Sequence, residues 1–188
     1  MKKNDLGKII REIAAIIPIY LPGRGIASQI HLKKGEVLLD KRDSKKIVAD
    51  LAALLAVDLG GLKKFVRLKL NIRNTVPLPL NPELLFVPIR VRKPVVPRDC
   101  ATGYFNYFCI EDVLEKDKFA QIILVDGKKI DTIQRERTIR NTILFANLAY
   151  REWQFNYVNP FVKGVGKELY KSAKLEMIKN IMEDDFRY

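Results

Sequence analysis

The chain has 188 residues, of which 48% are hydrophobic, and its 34 Lys and Arg residues against 22 Asp and Glu residues give a formal net charge of +12. This hydrophobic content is sufficient for a substantial core, which excludes a disordered basic tail. The positive charge predicts a polyanionic partner, and nucleic acid is the class that we expect, although ribosomal, anionic-membrane and acidic-protein partners fit the same charge.

The chain has only two cysteines, Cys100 and Cys109. They are too few for a disulfide-stapled secreted scaffold and lack the paired spacing of a zinc site, so we expect a reduced cytoplasm and no metal or other cofactor. Charged residues interrupt the approach to the apolar run 13–21 and Pro18 breaks it, which argues against a signal peptide. No run reaches the roughly 18 to 20 apolar residues that span a bilayer, so we expect no membrane partner.

The first 40 residues predict a helix followed by two short strands. Apolar residues recur at helical spacing from Leu6 to Ile17, which predicts an amphipathic helix that ends at Pro18. Short β-like stretches follow at residues 26–32 and 36–39.

A second helix is predicted after Asp43 or Ser44, either of which can cap it, and residues 60–61 are two glycines that would end it. Residues 65–72 alternate between apolar and polar side chains. This alternation predicts a half-buried strand with a cationic outer face.

Strand patterns dominate the middle of the chain. Residues 84–91 and 103–109 are predicted strands, and a proline-rich segment separates them. Residues 119–125 and 128–133 are predicted to pair across Asp126-Gly127, a strong hairpin signal. We therefore expect a mostly antiparallel sheet.

The last part of the chain is predicted to be helical. A long helix over residues 137–153 is apolar on two faces, so one face should meet the sheet and the other should meet a C-terminal helix or a second subunit. A linker over 156–166 and a last helix over 167–182 follow. The predicted fold is therefore α+β, with flanking helices around a domain of residues 1–155 and a C-terminal helical appendage over 156–188.

Few residues suggest catalysis, so we predict no enzymatic activity. His31 is the only histidine, and we interpret it as a structural strand residue. A metal-dependent nuclease stays an alternative, because one group of acids and lysines could hold a divalent metal for phosphodiester hydrolysis. That group is Glu111, Asp112, Asp126, Lys128 and Lys129.

Three groups of cations are better evidence, because together they predict a binding face along one sheet. Prolines hold the middle group in an extended arm, whose cations should lose little entropy on docking. We expect replacement of Arg92 and Lys93 by Ala to lower DNA affinity and flatten its salt dependence while leaving the melting temperature nearly unchanged. The predicted contact residues are Lys63, Lys64, Arg67, Lys69 and Arg73 beside the 65–72 strand, Arg90, Arg92, Lys93 and Arg98 in the arm, Arg135, Arg137 and Arg140 at the long helix, and Asn106, with Asn71, Asn74 and Asn141 as further amides.

The order of motifs carries a resemblance to a known family. The motifs are L-P-L-N-P-E-L-L-F-V-P-I-R at 78–90, R-D-C-A-T-G-Y-F-N-Y-F-C-I at 98–110, V-D-G-K-K-I at 125–130 and T-I-R-N-T-I-L-F-A at 138–146. In this order the chain resembles the competence transcription factor (ComK) family of Gram-positive bacteria. The resemblance implies a cytoplasmic activator that binds A/T-rich duplex DNA as a homodimer through the minor groove.

We therefore predict a DNA-binding transcriptional regulator, with a regulatory protein as a possible further partner. A more distant resemblance to LytTR-type DNA-binding domains keeps this function class but changes the docking mode. An RNA-binding or ribosome-associated protein is the alternative, in which Tyr104, Phe105 and Tyr107 would stack on bases.

Overall fold

The computed structural model describes residues 3–21, 23, 25–95 and 99–158. The larger of its two sheets contains β1 (Ile13–Leu21), β2 (Gly25–Leu32), β3 (Val37–Asp40), β4 (Leu78–Asn81), β5 (Leu84–Arg90) and β6 (Thr102–Asn106). These strands lie in the order β3-β2-β1-β6-β5-β4, and every neighbouring pair is antiparallel.

A smaller antiparallel sheet and four α-helices complete the described part of the fold. The sheet has the order β7-β8-β9, with β7 at Ile110–Lys116, β8 at Phe119–Leu124 and β9 at Lys129–Asp131. The helices are α1 (Lys3–Ile9), α2 (Ser44–Leu54), α3 (Leu59–Leu70) and α4 (Glu136–Trp153). Short 3-10 helices at Ile10–Glu12 and Tyr107–Cys109 and a π-helical turn at Gln154–Val158 join them.

The larger sheet has an apolar core on each face. On one face Ile16 and Phe86 pack with residues of α1, α2 and α3. On the other face Ile17 and Phe105 pack with the smaller sheet. Because α4 contributes side chains to both cores, it closes the side of the molecule along β5 and β4.

The predicted α+β class with antiparallel strands is confirmed. The hairpin of β8 and β9 forms across the predicted turn, and α4 begins one residue before its predicted start. Asp43 caps α2 as expected, accepting a hydrogen bond from the Lys46 N–H at 2.8 Å, but α2 already ends at Leu54. The predicted last helix over 167–182 lies outside the described residues, as does most of the linker that precedes it.

The first predicted helix is wrong beyond its opening turns, because residues 13–21 form the central strand β1. This strand is buried on both faces, so its apolar run is nearly continuous and carries no period that separates a strand from a helix. Pro18 is tolerated there because β1 pairs with β6 only at Ala15 and Ile16, leaving that side of β1 unpaired at the proline.

The predicted strand over residues 65–72 is also wrong, because these residues lie largely in α3. Asp58 caps this helix by accepting a hydrogen bond from the backbone N–H of Gly60 at 2.9 Å. Val66 and Leu70 are buried at the i, i+4 spacing of a helix, whereas Leu68 between them is 74% exposed. The alternation in the sequence therefore coincides with a helical stripe.

Candidate nucleic-acid interface

Helix α4 begins beside the C-terminal end of β5. The side-chain oxygen of Gln134 accepts a hydrogen bond from the Arg90 N–H at 2.8 Å, and the Ile133 N–H donates to the Arg90 carbonyl at 3.1 Å. At the other end of α4, the Tyr150 hydroxyl donates to the Pro82 carbonyl at 2.8 Å. The helix therefore runs antiparallel to β5, and its first turn lies next to Arg90.

Helix α3 runs antiparallel along α4. In the middle of α3 the ring centroid of Phe65 lies 5.3 Å from that of Tyr157, and one turn later Lys69 Nζ lies 3.7 Å from a carboxylate oxygen of Glu152. This direction carries the segment after α3 past the N-terminal half of α4. A cleft between them is the candidate site.

The cleft has a volume of about 340 Å³. Its wall carries two side-chain amides, Asn74 and Asn141, which make no hydrogen bond to any described residue. A cleft with unoccupied amides beside cations can accept a polyanion and also contact its bases. The lining residues are Ile72, Asn74, Thr75, Arg137, Thr138, Asn141, Thr142 and Phe145.

Five predicted contact residues gather around this cleft and are exposed. Arg67 and Arg73 lie together on the α3 side, because the Arg67 Nε donates to the Arg73 carbonyl at 3.3 Å. We call the set the arginine cluster. It consists of Arg67, Arg73, Arg90, Arg135 and Arg137.

The first turn of α4 adds to the positive potential at the arginine cluster. Arg135 occupies the cap position without a side-chain hydrogen bond to the helix, so side chains leave the first backbone N–H groups uncapped. Glu136 is the acidic residue of that turn, and its carboxylate accepts a hydrogen bond from Arg140 Nε at 2.6 Å.

The lysines of α3 differ in their surroundings. Burial lowers the pKa of Lys63, and the charges of Arg67 and Lys45 lower it further, which shows how closely the cations of this surface approach one another. Lys64 is exposed. Lys69 is engaged, because it pairs with Glu152 and lies 5.8 Å from the ring centroid of Phe65. Lys63 and Lys64 therefore extend the cluster along α3, whereas Lys69 is tied to α4.

Arg92 does not fit its predicted role. Its guanidinium binds the Asp99 carboxylate with both terminal nitrogens, one of them at 2.6 Å, and donates to the carbonyls of Pro18 and Cys100 at 3.2 and 3.0 Å. These hydrogen bonds hold the pKa of the buried Asp99 below its usual range. Arg92 therefore connects the residues that follow β5 to those that precede β6. Lys93 beside it is exposed.

Two further predicted residues already have partners within the protein, and one lies outside the described part. The Asn106 side chain is 1% exposed and donates to the carbonyls of Ile13 and Glu83, both at 3.2 Å, so it cannot contact DNA. Arg140 is exposed, but its charge is matched by Glu136 and Asp112. Arg98 lies outside the described residues.

The residues proposed for the alternative functions are also placed. Tyr104 and Phe105 are buried, so they cannot stack on bases, and the hydroxyl of the half-buried Tyr107 accepts a hydrogen bond from Asn147 at 2.8 Å. For a nuclease, Asp112 pairs with Arg140. Among the described residues no three His, Cys, Asp or Glu side chains come together in a way that could hold a metal ion.

No protein-family model matches the chain, and no match was found among curated proteins or solved structures. None of the described helices has the length and apolar character needed to cross a membrane.

Proposed function

We propose that this chain is a DNA-binding transcriptional regulator that grips duplex DNA with the arginine cluster. The observation that carries the proposal is the packing of α4 against both α3 and β5, which brings Arg67, Arg73 and Arg90 to the first turn of α4. Exposed arginines at one place release counterions from a phosphate backbone, and this release supplies affinity.

The chemistry of the cleft supports a preference for A/T-rich DNA. A narrow A/T minor groove has an enhanced negative potential that attracts inserted arginines. The amides of Asn74 and Asn141 can donate to the acceptors on the groove floor, where the exocyclic amine of guanine would stand in the way. These features agree with what the resemblance to the ComK family implies.

The proposal includes a cytoplasmic location, action as a homodimer and no covalent chemistry. Cys100 and Cys109 are free and buried, which suits a reducing compartment. The arginine cluster brings five exposed arginines together in the described part of the chain.

The test is the salt dependence of binding to an A/T-rich duplex. Each phosphate contact contributes about one unit to the slope of log K against log salt concentration. We expect the double variant Arg73→Ala/Arg135→Ala to bind more weakly and to lose about two units of slope. Neither change removes a side-chain cap of α4, so the fold should persist.

A matched control removes two charges elsewhere. Lys8 and Lys34 are exposed and lie near the end of the larger sheet where Ile13 pairs with Leu32, whereas Arg90 lies toward the other end. The variant Lys8→Ala/Lys34→Ala should therefore keep the slope of the parent. Equal slopes for the two double variants would contradict the proposal.

Replacing G·C by inosine·cytosine, which lacks the minor-groove amine, should restore binding to a G/C-rich duplex. Stronger binding to single-stranded or structured RNA than to duplex DNA would favour the RNA alternative.

A further inference from the structure

Strand β3 lies at the edge of the larger sheet and carries exposed apolar side chains. Val37 is 39% and Leu39 is 53% exposed, and both lie on the same side of the strand. An edge strand is usually protected by lysine, proline or a bulge, and Val37–Asp40 contains none of these. Its one charged residue, Asp40, is buried and pairs with Arg42 at 2.6 Å.

The opposite edge of the same sheet is protected. Strand β4 contains Pro79, packs against α4 and has an irregular register with β5. Its residues Leu78 and Leu80 are 1% and 2% exposed. The contrast singles out β3 as the edge that can accept another strand.

The hydrogen-bonding groups of β3 also point outward at the two exposed residues. The Leu32 N–H donates to the Glu36 carbonyl at 2.8 Å, which fixes the alternation of the β2–β3 ladder. In that alternation Leu38 and Asp40 face β2, so the N–H and C=O groups of Val37 and Leu39 face away from it. No described residue bonds to these outward groups.

We propose that β3 pairs antiparallel with β3 of a second copy of this chain, around a two-fold axis at Leu38. In this register Val37 of each copy lies opposite Leu39 of the other, and the outward backbone groups of both residues form four hydrogen bonds. The two larger sheets of six strands each become one continuous sheet.

The register follows from the sequence of the strand. A shift by one residue is excluded, because it would place side chains of opposite faces against each other. An axis at Leu39 keeps the faces but leaves one apolar pair, Leu39 with its own copy, and sets both Val37 side chains opposite Lys41. The axis at Leu38 therefore makes the better apolar pairs.

A second copy suits this edge better than an unrelated strand because the edge is complementary to itself. The same two apolar residues supply both halves of each cross-strand pair, as a two-fold interface requires. The axis at Leu38 sets the exposed Glu36 opposite Asp40 of the second copy, whose charge is matched by Arg42. The pairing does not rest on the binding of DNA.

Single cysteines test the register. Opposed residues at the axis have Cα atoms about 4.5 Å apart, within the range of a disulfide, whereas residues offset by two positions lie beyond about 7 Å. We expect Leu38→Cys to form a covalent dimer under mild oxidation, and Leu39→Cys and the parent, whose Cys100 and Cys109 are buried, to stay uncrosslinked. Cross-linking of Leu39→Cys in place of Leu38→Cys, or of neither, overturns the proposal.

Self-association tests the interface without an added cysteine. We expect the parent to dimerise in sedimentation velocity at ionic strengths of about 0.1 M to about 1 M, where charge repulsion is screened. Leu39→Lys should weaken the dimer at least about tenfold, because the new lysine faces an apolar residue and a row of unpaired backbone groups. Leu54→Lys on α2 is the control, since Leu54 is 42% exposed and lies outside the sheet. Equal dimerisation of the two lysine variants, or a monomeric parent, overturns the proposal.

Discussion

Two arginines that lie two residues apart have opposite roles in this protein. Arg90 ends β5 with its side chain exposed, whereas the side chain of Arg92 is 19% exposed and bound to Asp99. The sequence predicts the same role for both, because it shows which residues are charged but not which carboxylate the fold brings next to each of them. The Asp99 carboxylate is fully buried, so its partner is needed for stability.

We predict that Arg92→Ala lowers the free energy of unfolding by about 3 kcal/mol, because it leaves the Asp99 carboxylate buried without its partner. This reverses the expectation that removing Arg92 leaves the melting temperature unchanged. Urea denaturation of the parent and the variant measures the difference. Lys93→Ala is the control, since Lys93 is the exposed neighbour, and equal losses for the two variants would contradict this role for Arg92.

At the scale of elements, amphipathic segments were predictable and fully buried ones were not. Helices α2 and α4 and the β8–β9 hairpin each keep one polar side, so their patterns have a clear period, and α2 and the hairpin also have a recognisable cap and turn. Strand β1 is covered on both faces and has no such period. Helix α3 is wrongly predicted as a strand because the exposed Leu68 lies between the buried Val66 and Leu70, so that every second residue is apolar.

The candidate site shows the same limit. The sequence indicates the exposed cations of three separate segments, but it predicts that they lie together on one face of a sheet. The packing of α3 against α4 brings them together, and that contact depends on the helix that the sequence did not reveal. Thr75 and Thr138 line the cleft without any signal in the sequence that could have singled them out.

Truncation of two leucines in α3 distinguishes the helix from the strand first expected. Leu70 is 5% exposed, so Leu70→Ala should cost about 2–5 kcal/mol of stability. Leu68 is 74% exposed, so Leu68→Ala should change stability by less than about 0.5 kcal/mol. Denaturant unfolding compares the two variants. Similar large losses for both would mean that both side chains share one buried face, as they would in a strand.

At the scale of the whole molecule, a contact between hairpins joins the two sheets. Lys128 of the β8–β9 turn donates from Nζ to the Gly35 carbonyl of the β2–β3 turn at 2.7 Å. His31 is buried nearby, and its Nδ1 makes no hydrogen bond to any described residue. Burial, with the charge of Lys128, lowers the pKa of His31 to about 4, although Asp126 acts in the opposite direction.

This pKa predicts how acid affects the stability of the whole molecule. In the unfolded chain His31 binds a proton near pH 6.5, whereas in the folded protein it does so only near pH 4. The unfolded state therefore takes up more protons between these values, and stability falls as the pH is lowered from 6.5 to 4.

Calorimetric melting temperatures across that interval measure the fall. We expect His31→Gln, which cannot be protonated, to show a shallower slope than the parent, even where its overall stability is lower. Parallel profiles would contradict the lowered pKa of His31. Carboxylates with lowered pKa values, such as Asp99, add their own loss only at more acidic pH, as the pH falls through those values.

The larger sheet consists of two meanders, β1–β2–β3 and β4–β5–β6, whose strands β1 and β6 pair at Ala15–Phe105 and Ile16–Tyr104. The Asn106 amide holds this seam by donating to the Ile13 and Glu83 carbonyls. On a ribosome, the first meander emerges long before the strand that completes it. An arrested nascent chain that lacks β6 would present β1 as a bare apolar border, so we expect the amino-terminal half to engage chaperones until β6 has left the exit tunnel.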